Sequence, residues 1–147
     1  MRTFFGTIFL GTLVFVLSFV PAFGDSNVKA SDARLRLMPG DLPCAGYLVL
    51  HNGGVDLVKL VGAHSDAFKK VEMHMSMNKD GMAHMKAVPT IEIAAGEDFE
   101  FAPSGYHLML MKRSAPLNVG DAVVITLELD GGGSLPVTFD VVSPAAM

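Results

Sequence analysis

Residues 71–88 read VEMHMSMNKDGMAHMKAV, and this stretch decides the fold class. An alternating run at residues 71–77 and a second strand-like run at residues 82–88 flank the turn sequence Asn-Lys-Asp-Gly. An Asp-Gly turn between two such runs is among the strongest short-range signals for a β-hairpin. The sequence therefore predicts two antiparallel strands joined by a tight turn, with side chains that point alternately to the two faces.

The length of the turn decides which side chains share a face. A two- or four-residue loop places Ser76 opposite Met85 and His74 opposite Ala87, so that His74 and Met85 become diagonal neighbours about 7–8 Å apart. A three-residue bulged loop would slip the register by one residue and send them to opposite faces. A site shared by His74 and Met85 therefore requires the even-numbered loop.

On both sides of this hairpin, the sequence consists of further short strand-like runs separated by turn residues. Because no long helical period is present after residue 24, we predict an all-β sandwich or barrel. The polar residues 65–70 are expected to form a turn or one helical loop. Short apolar or alternating runs between Gly, Pro, Asn and Asp clusters predict further strands at residues 33–37, 46–51, 57–63, 91–93, 99–101, 106–111, 123–129 and 135–142.

The first 24 residues are predicted to be a signal peptide. Arg2 supplies a positive charge, an apolar run extends from Phe4 to Val20, and Ala22-Phe23-Gly24 has the pattern of a cleavage site. An uncleaved membrane anchor is the alternative, because the apolar run is long for a signal. Cleavage would leave a flexible lead-in at residues 25–32, one β domain at residues 33–142 and a short tail at residues 143–147.

Charge and cysteine content narrow the possible partners. The formal net charge is −4, which becomes −5 once Arg2 is removed with the signal segment, and no Lys/Arg cluster is present. This balance argues against nucleic acid and anionic membranes as partners. The single cysteine, Cys44, cannot form an intramolecular disulfide, so an exported domain must depend on its hydrophobic core for stability.

Four soft donors form the main functional candidate. His107 and Met109 lie two residues apart in one predicted strand, so they share a face and their Cα atoms lie roughly 6.5–7 Å apart. Together with His74 and Met85 they make a neutral set of two imidazoles and two thioethers. Thioether sulfur is a poor ligand for zinc, magnesium or calcium but suits Cu(I). We therefore predict a Cu(I) site at these four residues.

Methionine and histidine are concentrated around this set. Seven of the ten methionines and three of the five histidines lie between residues 73 and 111. Packing explains a single methionine, since this flexible side chain fills irregular cores, but it does not explain this density. Three methionines alternate on the face opposite His74 and are expected in the core: Met73, Met75 and Met77. Three other residues are candidate auxiliary ligands or a transient docking point for copper: Met82, His84 and Met111.

Cys44 carries the best copper ligand in the chain, a thiolate. A blue-copper electron-transfer site needs a cysteine beside two histidines and a weak axial methionine. Cys44 lies far upstream of the other donors in a Pro-flanked turn, which disfavours that site. The expected role is a small buried hydrophobe, with a reactive thiol or a copper-transfer contact as the alternatives.

The spacing His-x10-Met-x21-His-x-Met, formed by His74, Met85, His107 and Met109, resembles the motif of the PCuAC family (formerly DUF461) of periplasmic copper chaperones. The segments GYLVLHNGG, KLVGA, GYHLMLM and PLNVGD also fit, so the resemblance covers residues 33–142. It implies a cupredoxin-like Greek-key β-barrel in the periplasm, with these four residues forming a solvent-accessible Cu(I) site.

The resemblance also implies a reaction partner. Copper would be delivered to the binuclear copper site of cytochrome c oxidase subunit II, often alongside a Sco-type thiol protein. Some members carry a His/Met-rich C-terminal tail that binds Cu(II), whereas this sequence ends at Ser143-Pro144-Ala145-Ala146-Met147, so a second copper site is not expected. Cys44 is not part of the family motif. The protein is expected to be a monomer.

Functions other than copper delivery would use the same four candidate ligands, or would not depend on them. A copper or silver buffer for metal resistance would need the same four ligands, and only transfer to an oxidase fragment distinguishes it from a chaperone. An electron carrier would require Cys44, and a structural sandwich would bind no copper. No nucleophile–base pair or carboxylate constellation indicates an enzyme. Because imidazoles bind metal in the neutral form, Cu(I) affinity should fall as the pH drops through roughly 6.5.

Overall fold

The computed structural model describes residues 27–146, so the predicted signal peptide lies outside the described residues. Ten strands follow one another, and a 3₁₀ turn at Pro144–Ala146 ends the described chain. The all-β prediction is confirmed. The strands are β1 Val28–Arg36, β2 Cys44–Asn52, β3 Val58–His64, β4 Phe68–Lys79, β5 Met82–Ala87, β6 Ile91–Ile93, β7 Asp98–Phe101, β8 Tyr106–Arg113, β9 Ala122–Leu129 and β10 Ser134–Val142.

The strands form one curled sheet in the order β5-β4-β8-β2-β1-β10-β9-β3-β6, and β7 pairs with the second half of β2. The ladder between β1 and β10 is parallel, whereas the other ladders are antiparallel. β3 also packs against β4, without a ladder between them. The sheet thus curls around one core and leaves β5 at its edge.

Buried side chains alternate with exposed ones along β9 and β10, as expected where one face of a strand packs on a core and the other does not. Burial of such side chains contributes roughly 1.5–3 kcal/mol each. This core holds the sheet that carries the candidate site. Its fully buried members include Leu35, Leu48, Leu50, Leu60, Ile93, Leu108, Leu110, Ile125, Leu127 and Phe139.

The hairpin has the register that a site shared by His74 and Met85 requires. His74 pairs with Ala87, Ser76 pairs with Met85, and the ladder closes at Lys79 and Met82 around a two-residue loop. Both loop residues have positive φ, 54° at Asp80 and 76° at Gly81. Positive φ at both central residues defines a type I′ turn, whose twist matches that of the flanking strands.

Two of the predicted segment assignments are wrong. Residues 28–32, expected to belong to a flexible lead-in, form the first half of β1 and pair with β2 up to Ser31. Their pairing is long-range, so a local polar sequence did not indicate it. Residues 68–70, expected in a turn or helical loop, begin β4, and Phe68 is buried in the core.

Candidate metal centre

The two central histidines lie side by side on the sheet. His74 of β4 and His107 of β8 are direct cross-strand partners, and their ring centroids are 5.8 Å apart. A zinc–imidazole bond measures about 2.0–2.1 Å, which places an ion roughly 3 Å from each ring centre. A separation of 5.8 Å therefore suits one metal ion held between both rings.

The hydrogen bonds of the two imidazoles leave one nitrogen of each ring available. His74 Nε2 lies 3.1 Å from a carboxylate oxygen of Glu72, which can only accept, so Nε2–H donates. His74 Nδ1 is buried and has no hydrogen-bond partner. His107 Nδ1–H donates to the Gly105 carbonyl at 3.2 Å, which leaves Nε2 free. A buried imidazole nitrogen without a partner fits a metal ligand, since such groups are otherwise nearly always paired.

The two methionines flank this pair on the same face. Met85 pairs with Ser76, so it is a diagonal neighbour of His74 across the hairpin. Met109 pairs with Glu72, so it is a diagonal neighbour of His74 across the β4–β8 ladder. Met85, His107 and Met109 border one cavity of about 550 Å³. The structure thus brings all four predicted ligands to one sheet face, with the thioethers on either side of the imidazoles.

Exposure differs sharply among the four ligands. His107 is 5% exposed and the His74 side chain 13% exposed, whereas Met85 on the edge strand is 62% exposed. Met109 is half-buried. The imidazoles therefore form the floor of the site, and Met85 is its solvent-facing rim.

The charged neighbours favour a neutral His107 and an ionised Glu72. Burial lowers the pKa of His107, and the nearby Arg36 guanidinium also lowers it, while the hydrogen bond to the Gly105 carbonyl acts in the opposite direction. Hydrogen bonds from Lys70, at 2.7 Å, and from His74 lower the pKa of Glu72. A neutral imidazole is the form that binds metal. An ionised carboxylate behind a ligating imidazole fixes its tautomer and orientation.

Sequence reasoning missed Glu72 and Arg36. Glu72 lies two residues before His74 on the same strand, so period two already placed both on one face. Arg36 comes from β1, and its guanidinium lies 5.6 Å from the ring centre of Tyr47. Its Nε is buried and has no hydrogen-bond partner. No local signal indicates that β1 brings a cation near His107, because that proximity depends on the strand order β8-β2-β1.

The structure does not bring the three auxiliary candidates to the same ion. Met82 and His84 alternate with Met85 along β5, so they lie on the opposite face of the hairpin. Met111 shares the face of His107 but pairs with Lys70, and four residues separate its Cα from that of His107 by roughly 13 Å. None of these three residues therefore joins the four predicted ligands around one ion.

Two further expectations about the neighbouring residues have clear outcomes. Met73 is buried as predicted, but Met77 is 40% exposed and Met75 half-buried, so the core prediction is wrong for Met77. The hairpin extends beyond the core at that point.

Cys44 is buried and pairs with Leu110, whereas its neighbour Ala45 pairs with Met109. The Cys44 side chain therefore points to the core side of the sheet, as a small hydrophobe does.

No group of three or more His, Cys, Asp or Glu side chains able to hold a metal ion occurs within residues 27–146. The arrangement found here combines two imidazoles with two thioethers instead. In the same part of the chain, no helix is long and apolar enough to cross a membrane.

Fold and site together define a class: small cupredoxin-like β domains with soft donors on one sheet face. The chain belongs to the family described as "Putative lipoprotein LpqE-like", which matches residues 28–141. It is 34% identical over 115 residues to "Putative lipoprotein Lxx21020" of Leifsonia xyli subsp. xyli, and 31% identical over 87 residues to "Uncharacterized protein RP573" of Rickettsia prowazekii. These matches cover 78% and 58% of this chain, but 64% and 48% of those proteins.

Solved structures of PCuAC domains share the fold. The copper-bound PCuAC domain from PmoF2 superposes with a TM-score of 0.67 at 23% identity, over 80% of this chain and 94% of that one. Apo-DR1885 from Deinococcus radiodurans gives a TM-score of 0.62 at 28% identity, over 97% and 95% of the two chains. CuI-DR1885 from the same organism gives 0.61 at 33% identity, over 75% and 74%.

Proposed function

We propose that this protein is an exported Cu(I) chaperone, with His74, Met85, His107 and Met109 as the copper ligands. The observation that carries the proposal is the histidine pair: two cross-strand imidazoles at 5.8 Å, each with one nitrogen left free by its own hydrogen bond. The similar structures of CuI-DR1885 and of the copper-bound PmoF2 domain support copper as the ion.

The ligand chemistry favours Cu(I) over other ions. Two neutral imidazoles and two thioethers add no negative charge, and thioethers suit Cu(I) better than the hard or borderline divalent ions. Arg36 adds a fixed positive charge near His107, which disfavours a second positive charge on the ion. The site therefore holds a monovalent ion without the thiolates that would make release difficult.

The exposure gradient gives a route for release. Met85 is 62% exposed on the edge strand, while both imidazoles are largely buried. An incoming thiolate of an acceptor can replace Met85 first, so that copper passes through an intermediate that shares ligands of both proteins. The two imidazoles then release the copper ion last. The protein acts as a carrier in this scheme and catalyses no reaction.

We propose the periplasm as the compartment and the binuclear copper site of cytochrome c oxidase subunit II as the destination. A Sco-type thiol protein is a further proposed partner. A thiolate-rich acceptor outcompetes a thioether site for Cu(I), because thiolate is the stronger soft ligand. A copper buffer with the same ligands would bind Cu(I) equally well but would not deliver it.

Cu(I) stoichiometry under competition tests the site. We expect one strongly bound Cu(I) per wild-type chain in the presence of a Cu(I) chelator, and loss of that copper in Met85→Ala and Met109→Ala. Met111→Ala is the matched control, since it removes a thioether from the same face outside the site, and it should retain the copper. Equal loss in all three variants, or retention in the first two, would overturn the ligand assignment.

Transfer distinguishes a chaperone from a buffer. Anaerobic mixing of the Cu(I)-loaded protein with the reduced soluble domain of cytochrome c oxidase subunit II should move copper to that domain. The control is the same domain with its copper-binding cysteines replaced by serine, which should receive none. If copper stayed on the carrier in both mixtures, buffering would be the better description.

A further inference from the structure

The β4–β5 hairpin carries soft donors on both of its faces. His74 and Met85 occupy the face described above, and Met77, Met82 and His84 occupy the opposite one, which carries Met73 nearer the core and which we call the second face. Met77 and His84 are direct cross-strand partners. Side chains in such pairs have Cβ atoms about 4.5–5.5 Å apart, which lets a thioether and an imidazole reach the same ion.

Met82 completes a triangle with this pair. It lies two residues from His84 on the same side of β5, and it pairs with Lys79, which makes it a diagonal neighbour of Met77 at about 7–8 Å. Methionine side chains have three rotatable bonds and adapt to such distances. The half-buried Met75 lies on the same face, one step further towards the core.

These side chains contribute little to packing. Met82 is 62% exposed and Met77 is 40% exposed, while His84 is exposed as well. Burial is what makes a methionine stabilising, so a large exposed fraction forgoes much of that contribution. The other four histidines each hydrogen-bond an acceptor, but within residues 27–146 no such partner is present for His84. Both of its ring nitrogens are therefore available to a ligand.

The charges on the second face restrict which ions can bind there. Lys79 and Lys86 share this face with the three donors, since they pair with Met82 and Met75. Hard cations such as Mg²⁺ and Ca²⁺ require oxygen ligands, which these side chains do not provide. Two nearby ammonium groups also oppose a divalent charge more than a monovalent one.

We propose that Met77, Met82 and His84 form a second binding site for a soft monovalent cation, Cu(I) or Ag(I), weaker than the first. It is weaker because its donors are exposed, because only one is an imidazole, and because two lysines repel the ion. This site goes beyond the proposed function, which uses the other face. It also departs from the expectation of a single copper site that the short C-terminal segment suggested.

Titration of the ¹³C-methyl-methionine-labelled protein with Ag(I), followed by NMR, separates the two sites. The first equivalent should shift the methyl signals of Met85 and Met109. The second equivalent should shift those of Met77 and Met82 together with the ring signals of His84. A titration that ends after one equivalent, with the Met77 and Met82 methyls unmoved, would overturn the second site and leave the first intact.

Substitutions identify the residues that bind the second equivalent of Ag(I). His84→Ala and Met77→Leu should each abolish the second step and leave the first unchanged. His51→Ala is the matched control, because it removes another exposed imidazole that lies outside the hairpin, and it should keep both steps. Loss of the second step in His51→Ala, or its persistence in His84→Ala, would show unspecific binding instead. Failure of the first step alone would count against the proposed chaperone site and not against this one.

Discussion

The candidate site joins two regions of very different burial. β8 lies inside the sheet between β4 and β2, and its residues His107, Leu108 and Leu110 are buried. β5 is an edge strand with every residue exposed. The first region holds ligands in place through packing and long ladders, and the second presents one ligand, Met85, to solvent. From this comparison we expect the strength of Cu(I) binding to come from the β8 side of the site and the exchange of Cu(I) from the β5 side.

The largest effect is expected on the buried side. His107→Phe should abolish competitive Cu(I) binding, because it removes one of the two paired imidazoles while a ring of similar shape preserves the packing. Measurement of Cu(I) by chelator competition checks the loss, and far-ultraviolet circular dichroism checks that the fold remains. His64→Phe, an exposed histidine that contacts Glu128, is the control and should bind as wild type does. Retained binding in His107→Phe would place the copper elsewhere.

A smaller effect is expected from the carboxylate behind His74. Glu72→Gln removes the charge that accepts from His74 Nε2–H, and loss of such a partner typically lowers metal affinity by about 10–100-fold. Chelator competition measures the change. Glu92→Gln, which breaks an exposed pair with Lys59, is the control and should not change it. An unchanged affinity in Glu72→Gln would mean that the sheet alone orients His74.

The β5 side of the site depends on the turn that joins β4 to β5, so a substitution in that turn should weaken Cu(I) binding. Gly81 has a φ of 76°, and a residue with a Cβ costs about 1–2 kcal/mol in that conformation. Gly81→Ala should therefore loosen the hairpin and lower Cu(I) affinity by at most about 30-fold, since tenfold corresponds to about 1.4 kcal/mol. Gly131→Ala, at a φ of 85° in the β9–β10 turn, which does not border the cavity at the site, should destabilise the fold without changing Cu(I) affinity. Equal effects of both variants on affinity would contradict a local role for the hairpin.

The smallest effect concerns protonation on the buried side. Burial lowers the pKa of His107, so NMR titration of the apo protein should give a midpoint below the 6.5 of an ordinary imidazole. Because the unfolded chain then takes up a proton before the folded one, apo stability is complete above about pH 6.5 and falls as the pH drops towards the folded midpoint. The stability of His107→Phe should lack this contribution. A midpoint at or above 6.5 would mean that His107 is solvated.

The sequence determined what depends on neighbours along the chain. The Asp80-Gly81 turn indicated the hairpin, but the sequence left the loop length open, and the structure decided the two-residue loop that puts His74 and Met85 on one face. Period two likewise placed His107 and Met109 together, and the same rule would have placed Glu72 beside His74 had it been applied there. Soft-ligand chemistry then indicated Cu(I) without any coordinates. The core position of Met77 was wrong because alternation gives the face of a strand but not how far the core extends beneath it.

Only the tertiary structure decided how distant strands meet. The pairing of His74 with His107, the buried nitrogen of His74, the nearness of Arg36 and the strand formed by residues 28–32 all follow from ladders between segments far apart in sequence. Which distant strands pair depends on the burial of a shared core and on the entropy cost of closing long loops. No local sequence pattern encodes that pairing. The sequence by itself therefore determined the donors and the alternation of their strands, and the folded sheet determined which donors come together on one face.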